Sequence, residues 1–153
     1  MSNEEVEIEY PEPEYALVET SLDKLPAIVV VNKSLQGFQH RDVYGWYLSV
    51  IIFASEIAEN GMPTSDECQI LNVIGDEIEQ VVLANYNALF FARQTWNEVR
   101  QLVFYVYNPD EANEALQALL AQANPRRPWE FQMEHDPSWS FGEPYLALLE
   151  SID

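Results

Sequence analysis

"ALFFARQTWNEVRQLVFYVYNPDE", Ala88 to Glu111, is the stretch that decides how this chain folds. The runs Ala88–Trp96 and Val99–Tyr107 are rich in aromatic and β-branched side chains, which fit a pleated, half-buried surface. Only Asn97 and Glu98 stand between them, so the two runs are expected to form a tight hairpin. Asn108 then offers a side-chain oxygen to the free N–H groups of a helix start, Pro109 suits the first helical position, and Glu111 completes the box.

Working outward, Leu116, Leu119, Leu120 and Ala123 recur at helical spacing, and Asn124-Pro125 ends that helix. "WEFQMEH", Trp129 to His135, alternates like a last strand. On the other side, "NGMPTSDEC" turns at Asn60-Gly61, and Thr64 and Glu67 have the spacing of a capping box. The helix that follows carries an apolar stripe of Ile70, Ile74, Ile78, Val81 and Val82. Asp66, Glu67, Asp76, Glu77 and Glu79 occupy the rest of its circumference. Gly75 at its centre costs about 1 kcal/mol of helix stability. "YGWYLSVIIFA", Tyr44 to Ala54, precedes it as a strand. Strand, helix, strand, strand, helix, strand predicts an α+β fold of the split β-α-β, ferredoxin-like kind. Two further β-type runs, "EYALVET" (Glu14 to Thr20) and "PAIVVVN" (Pro26 to Asn32), are linked through Ser21, Asp23 and Lys24. They predict an additional N-terminal β-hairpin that extends or covers the sheet.

At 153 residues the chain fits one domain. Residues 14–153 are expected to form it, with 1–13 as an acidic flexible tail containing "PEPE" and no periodicity. Between Met1 and Asp23 stand eight acids, among them Glu4, Glu5, Glu7, Glu9 and Glu12, and no Lys or Arg. The whole chain sets 26 acids against seven Lys and Arg, a formal net charge of -19. Phosphate backbones and anionic lipids repel such a molecule, so neither direct nucleic-acid binding nor a membrane surface is expected. The longest apolar run, Trp46 to Ala54, is far short of the roughly 20 residues a membrane helix needs. Cys68 is the only cysteine. With acidic residues after Met1 in place of a basic-then-apolar leader, the expected compartment is a reducing cytoplasm.

Few residues carry chemistry. In "EHDPSW" (Glu134 to Trp139) a histidine stands between two acids, but strand alternation points His135 away from Glu134 and Asp136. His135 shares the side of Phe131 and Met133, so a half-buried histidine with a backbone partner is expected. His40 reads as a solvated loop residue. Two distant histidines and one cysteine do not have zinc-site spacing, no EF-hand loop is present, and the chain offers no metal site. Cys68 sits among acids that quieten a thiolate and is expected to be structural. The five glycines form no phosphate loop, and no cofactor is implied. Of Trp46, Trp96, Trp129 and Trp139, Trp96 beside the hairpin turn is expected to be the most exposed and is the candidate interface anchor. Asp76 and Glu77 on the acidic helix are candidate interaction residues alongside the tail glutamates.

"ENGMP" (Glu59 to Pro63), "VRQLVFYVYNPDE" and "WEFQMEHDPSW" followed by "PYLALL" together resemble the bacterial domain-of-unknown-function family 695. The resemblance covers nearly the whole chain after Glu14. Asn60-Gly61, the "FYVY" strand, and Asp136 with Trp139 carry it, the family tending to show an aspartate, two variable positions and a tryptophan near its end. The long acidic tail and Gly75 depart from it. The resemblance implies no reaction, and it implies for Asp136 and Trp139 a structural role in fixing the turn after the last strand. More distantly, the size, acidity and fold are similar to the group of the bacterial regulator of ribonuclease activity B, which binds a nuclease and does not catalyse.

Three functions stay open on these grounds. One is a non-catalytic binding or regulatory domain that engages a basic protein, such as a nuclease or toxin. Another is a hydrolase working through a carboxylate pair in a Trp-lined groove. The third is a self-associating domain, possible as a homodimer, joined through β edges or exposed aromatics.

Overall fold

A computed structural model of the protein describes residues 10–122 and 126–151. Glu4, Glu5, Glu7 and Glu9 lie outside the described residues, as do Ala123, Asn124 and Pro125.

The chain is α+β. Its strands are β1 (Tyr15–Leu22), β2 (Leu25–Asn32), β3 (Trp46–Phe53), β4 (Ala88–Trp96), β5 (Val99–Val106) and β6 (Trp129–His135). They form one sheet in the order β1-β2-β4-β5-β3-β6, and every neighbouring pair is antiparallel. The N-terminal hairpin therefore extends the sheet, with β2 pairing to β4. Three helices accompany it: α1 (Ser65–Val82), α2 (Pro109–Leu120) and α3 (Glu143–Leu148).

Both hairpins close through two residues with positive φ, Asp23-Lys24 (49° and 69°) and Asn97-Glu98 (46° and 72°). Two left-handed residues make the turn whose twist matches that of the flanking strands. The first link is thus shorter than the expected polar linker, and β1 and β2 run on to Leu22 and Leu25. Helix starts follow the expected chemistry. Asn108 Oδ1 accepts from the Asp110 and Glu111 amides, and Thr64 Oγ1 accepts from the Glu67 amide at 3.2 Å.

Each face of the sheet has its own core. On one, Leu48, Val50 and Ile52 of β3 and Leu102 and Phe104 of β5 pack against Leu71, Ile74 and Ile78 of α1 and Leu116 of α2. On the other, Val29, Val31, Phe91 and Tyr105 meet Leu35, Trp139 and Leu146, from the loop after β2 and the C-terminal segment. Tyr10, within the stretch expected to be a tail, packs edge-on against Tyr86 and donates its hydroxyl to the Ala88 carbonyl at 2.6 Å.

Several expectations are corrected. Glu67 is fully buried and does not belong to the acidic circumference of α1. Its carboxylate does not close the capping box, since the Thr64 amide donates to the Glu56 carbonyl. Arg127 Nε and Nη2 instead donate to Glu67 Oε2 and Oε1, both at 2.6 Å, and the Ser55 amide donates to Oε2 at 2.7 Å. A bidentate guanidinium is a stronger partner than one backbone N–H. In the α1 stripe Leu71 is fully buried while Ile70 and Val81 only border the core. Helix α2 stops at Leu120, which is 37% exposed in place of core. His135 is exposed, because β6 is an edge strand, and it lies beside the Trp46 ring, 4.8 Å away between centroids. Trp96 is half-buried, like Trp46 and Trp129, and its indole N–H donates to the Leu22 carbonyl at 2.9 Å.

Candidate functional site

Neither α1 nor α2 contains a Lys or Arg. The two helices pack side by side over the same core, so their outer surfaces form one face. Exposed on it are Asp66, Asp76 and Glu77 from α1 and Asp110, Glu111 and Glu114 from α2. Acids in the first turn of each helix also complement the positive end of its dipole. Asp76 and Glu77, predicted from the sequence, thus stand on a surface of one sign. Glu79 lies half-buried beside them. Burial first, and the neighbouring Asp76 next, push its carboxyl above the ordinary range, while Arg93 pulls it back.

The cations are placed elsewhere. Of the seven Lys and Arg, Lys33 pairs with Glu14, Arg41 with Glu143 and Arg127 with Glu67. Arg100 is buried under α1, donating to Thr95 Oγ1 at 3.1 Å and to Asn72 Oδ1. Burial, then the repulsion of Arg93, lower its guanidinium to about 10. Four of the seven cations are therefore engaged with partners off the outer surface of α1 and α2, Lys33 and Arg41 in surface pairs and Arg100 and Arg127 in buried ones.

Beside α1 the sheet runs on without a helix. Val73, Asp76, Glu77, Glu79, Gln80 and Leu83 border an open depression of about 450 Å³ on the outer surface of α1. Tyr15 and Leu17 of β1 are 54% and 58% exposed. The sequence hid this apolar patch, because "YALVETSL" has apolar residues at both parities in its first half and so does not announce which side is covered. Trp96 lies on the opposite face, paired across the strands with Ala27, and the fold does not bring it near Asp76 and Glu77. Glu12 is exposed at the N-terminal end of the described chain.

The opposite face holds a smaller groove of about 310 Å³ between the sheet and α3. Val29, Tyr47 and Gln94 form its floor, with Phe141, Pro144, Tyr145 and Leu148 as its wall. Behind it, the Tyr145 hydroxyl donates to Gln101 Oε1 at 3.3 Å, and Gln101 Nε2 donates to Ser49 Oγ at 2.9 Å. Burial raises the Tyr145 and Tyr47 hydroxyls above their ordinary values. Among the described residues, neither a carboxylate nor a tryptophan lines this groove. Nor do any three His, Cys, Asp or Glu among them stand close enough to hold a metal ion.

The motif residues have architectural surroundings. Asn60 Oδ1 accepts from the Met62 amide at 3.0 Å, and Gly61 has φ +84°. The Gly61 carbonyl accepts from the Glu98 amide at 2.8 Å, docking this loop on the second hairpin turn. Asp136 is buried and accepts from the Tyr105 hydroxyl at 2.7 Å and from the Ser140 and Phe141 amides at 2.9 Å each. Hydrogen bonding to Asp136 adds to burial in raising the Tyr105 hydroxyl. Trp139 is fully buried, stacked on Tyr105 at 4.5 Å and on Phe38 at 5.6 Å, with Arg41 over its ring at 5.1 Å. Its φ of 62° is rare for a bulky residue, and this packing together with an indole N–H shared between the Tyr44 and Arg41 carbonyls holds it there.

Among the described residues no helix is long and apolar enough to cross a membrane. No curated protein and no solved structure matches the chain, so the likeness to the regulator of ribonuclease activity B gains no support. The model of a family of unknown function, DUF695, matches residues 15–147, and the chain belongs to that family.

Proposed function

We propose that the chain is a non-catalytic, cytoplasmic binding or regulatory domain that presents its helical face to a basic protein partner, such as a nuclease or toxin. The observation that carries this reading is the acid-only outer surface of α1 and α2, with Asp76, Glu77, Glu111 and Glu114 exposed and no Lys or Arg on either helix. A surface of one sign steers an oppositely charged partner and occupies the basic patch with which an enzyme would engage nucleic acid. The tail acids Glu4, Glu5, Glu7, Glu9 and Glu12 add to the same field. Within this reading Trp46–His135 is a ferredoxin-like, split β-α-β unit. Its support is the order β4-β5-β3-β6, in which each strand–helix–strand connection skips one strand.

The test is capture of partners on the immobilised protein at low salt, elution in a salt gradient, and repetition with Asp76→Lys, Glu77→Lys, Glu111→Lys and Glu114→Lys combined. Exposed charges are screened within about 8 Å at physiological ionic strength, so retention should fall steeply with salt and vanish on charge reversal. Retention that ignores both salt and the reversal would refute the reading. A chain beginning at Glu14 separates the contribution of the tail from that of the helices.

A further inference from the structure

We propose that the helix-free part of the sheet, β1 and β2 beside the acidic flank of α1, is a seat for one basic amphipathic helix of a partner protein. This deepens the reading of the helical face given above and rests on it.

The first argument is geometric. The core under α1 and α2 is built from β3, β4, β5 and β6, with no buried residue from β1 or β2. Two helices thus cover four strands, one helix for each pair. Strands lie about 4.8 Å apart, so a pair spans roughly 10 Å, close to the diameter of one helix with its side chains. The pair β1 and β2 has no such helix. On that side of it stand Tyr15 and Leu17, both more than half exposed, and half-buried Ile28 and Val30. Alternation fixes the side, since Val29 and Val31 point into the opposite core.

Charge supplies the second argument and names the occupant. The wall of the seat is the α1 flank that carries Glu79, with Asp76 exposed above it, and Glu19 of β1, paired with Ile28, stands exposed on the floor beside Leu17. Glu79 reaches the seat, because burial first and the Glu79 carboxylate next raise the Tyr15 hydroxyl above its ordinary value. Arg93, paired with Val30 on this side of the sheet, faces Glu79 from β4, which leaves Asp76 and Glu19 as the exposed acids of the seat. An apolar floor with an acidic wall fits a helix whose apolar stripe is flanked by Lys or Arg. A second copy offers no such helix, as α1 and α2 lack both residues. Residues 1–9 carry four Glu and no cation, so their charge does not match the wall either.

The probe is a labelled peptide as long as α1, 18 residues, with Leu at helical spacing and Lys elsewhere. A scrambled peptide of the same composition is its control. Fluorescence anisotropy with the full chain should show salt-sensitive binding of the amphipathic peptide, tighter than the scrambled one by about tenfold or more. Leu17→Lys, and separately the pair Asp76→Lys and Glu19→Lys, should each weaken it by about the same factor. Glu111→Lys with Glu114→Lys on α2 should change it by less than about threefold. Circular dichroism verifies that each variant is folded, and Leu17→Ser replaces Leu17→Lys if that one is not.

Equal binding of the scrambled peptide, or full binding by Leu17→Lys, overturns the seat while leaving the acidic-face reading standing. Binding insensitive to salt overturns both. A dimer in sedimentation equilibrium that Leu17→Lys abolishes would assign the floor to a second copy and overturn the proposal.

Discussion

Replacing Arg127 by Met should destabilise the protein far more than loss of a surface ion pair does. The carboxylate of Glu67 is fully buried, and Arg127, 18% exposed at its side chain, supplies two of its hydrogen bonds, the Ser55 and Glu56 amides adding to them. The cluster ties the first turn of α1 to Ser55 after β3 and to the segment entering β6. Removing one partner of a buried pair leaves an uncompensated charge and costs about 3–5 kcal/mol, whereas an exposed pair costs about 0–1 kcal/mol. For a chain of this length that corresponds to a fall in Tm of roughly 6–20 °C.

The pH dependence separates this cause from general loosening. Hydrogen bonds from Arg127 foremost, opposed by burial and helped by the Ser55 amide, hold Glu67 down to about 2. A depressed carboxyl stabilises the fold above its unfolded pKa of about 4.3, and that contribution drains away as pH falls toward 2. In Arg127→Met burial and the Ser55 and Glu56 amides remain, so the Glu67 pKa rises and the variant gains as the group protonates. The gap between the two proteins, measured by urea denaturation from pH 7 to pH 3, should therefore narrow toward acid. Replacing both residues, Glu67→Met with Arg127→Leu, should recover most of the loss. A cost below about 1 kcal/mol at pH 7, or a gap that is flat with pH, would show that Glu67 is solvated and refute the reasoning.

Three further outcomes follow from particular residues. Gly75→Ala should stabilise the chain by about 1 kcal/mol in urea denaturation, because α1 gains helix propensity and the new Cβ would meet Leu102 Cδ1 at 3.8 Å, an ordinary contact; a loss would mean that α1 and β5 have no slack there. Asp136→Ala should cost about 2–4 kcal/mol, chiefly by orphaning the buried Tyr105 hydroxyl, and should red-shift Trp139 emission as the turn loosens; an unchanged midpoint would deny the aspartate its anchoring role. In alkaline titration Tyr10, pushed up to about 12 by burial and then by Tyr44, should stay protonated at pH 11, together with Tyr105 and Tyr145, whose hydroxyls are also raised. Stability should fall between about pH 10 and 12, since unfolded tyrosines release protons that folded ones keep, and absorbance showing complete tyrosinate in the folded protein at pH 11 would contradict this.

What the sequence made legible is what short-range sterics and hydrogen bonding decide. Asn97-Glu98 between two β runs, Asn108-Pro109 before an apolar stripe, and Thr64 three residues ahead of Glu67 each constrain φ, ψ or an amide within one turn, so they read directly. The alternation in Trp129–His135 placed a strand correctly for the same reason. The neighbours of that strand were another matter. His135 was expected to share the shelter of Phe131 and Met133, but β6 is an edge strand, and shelter on an edge depends on where the helices stop. Trp96 looked exposed beside its turn, yet the carbonyl that receives its N–H, on Leu22, arrives only because β2 pairs with β4.

Glu67 shows why the rest was hidden. A Thr and a Glu three apart have the same spacing whether the carboxylate returns to the helix start or turns into the protein. The residue that decides, Arg127, lies 60 positions away. Local sequence therefore specified the backbone at Thr64 and left the fate of the Glu67 charge to tertiary contact. The candidate site obeys the same division. The absence of Lys and Arg from α1 and α2 was written in the chain, so the acidic face was legible at Asp76 and Glu77. That Leu17 and Tyr15 lie bare beside it depends on which strands those two helices cover, a property of sheet order. A surface assembled from one legible half and one hidden half is best probed through the hidden one, and Leu17 is the residue at which charge and shape give different answers.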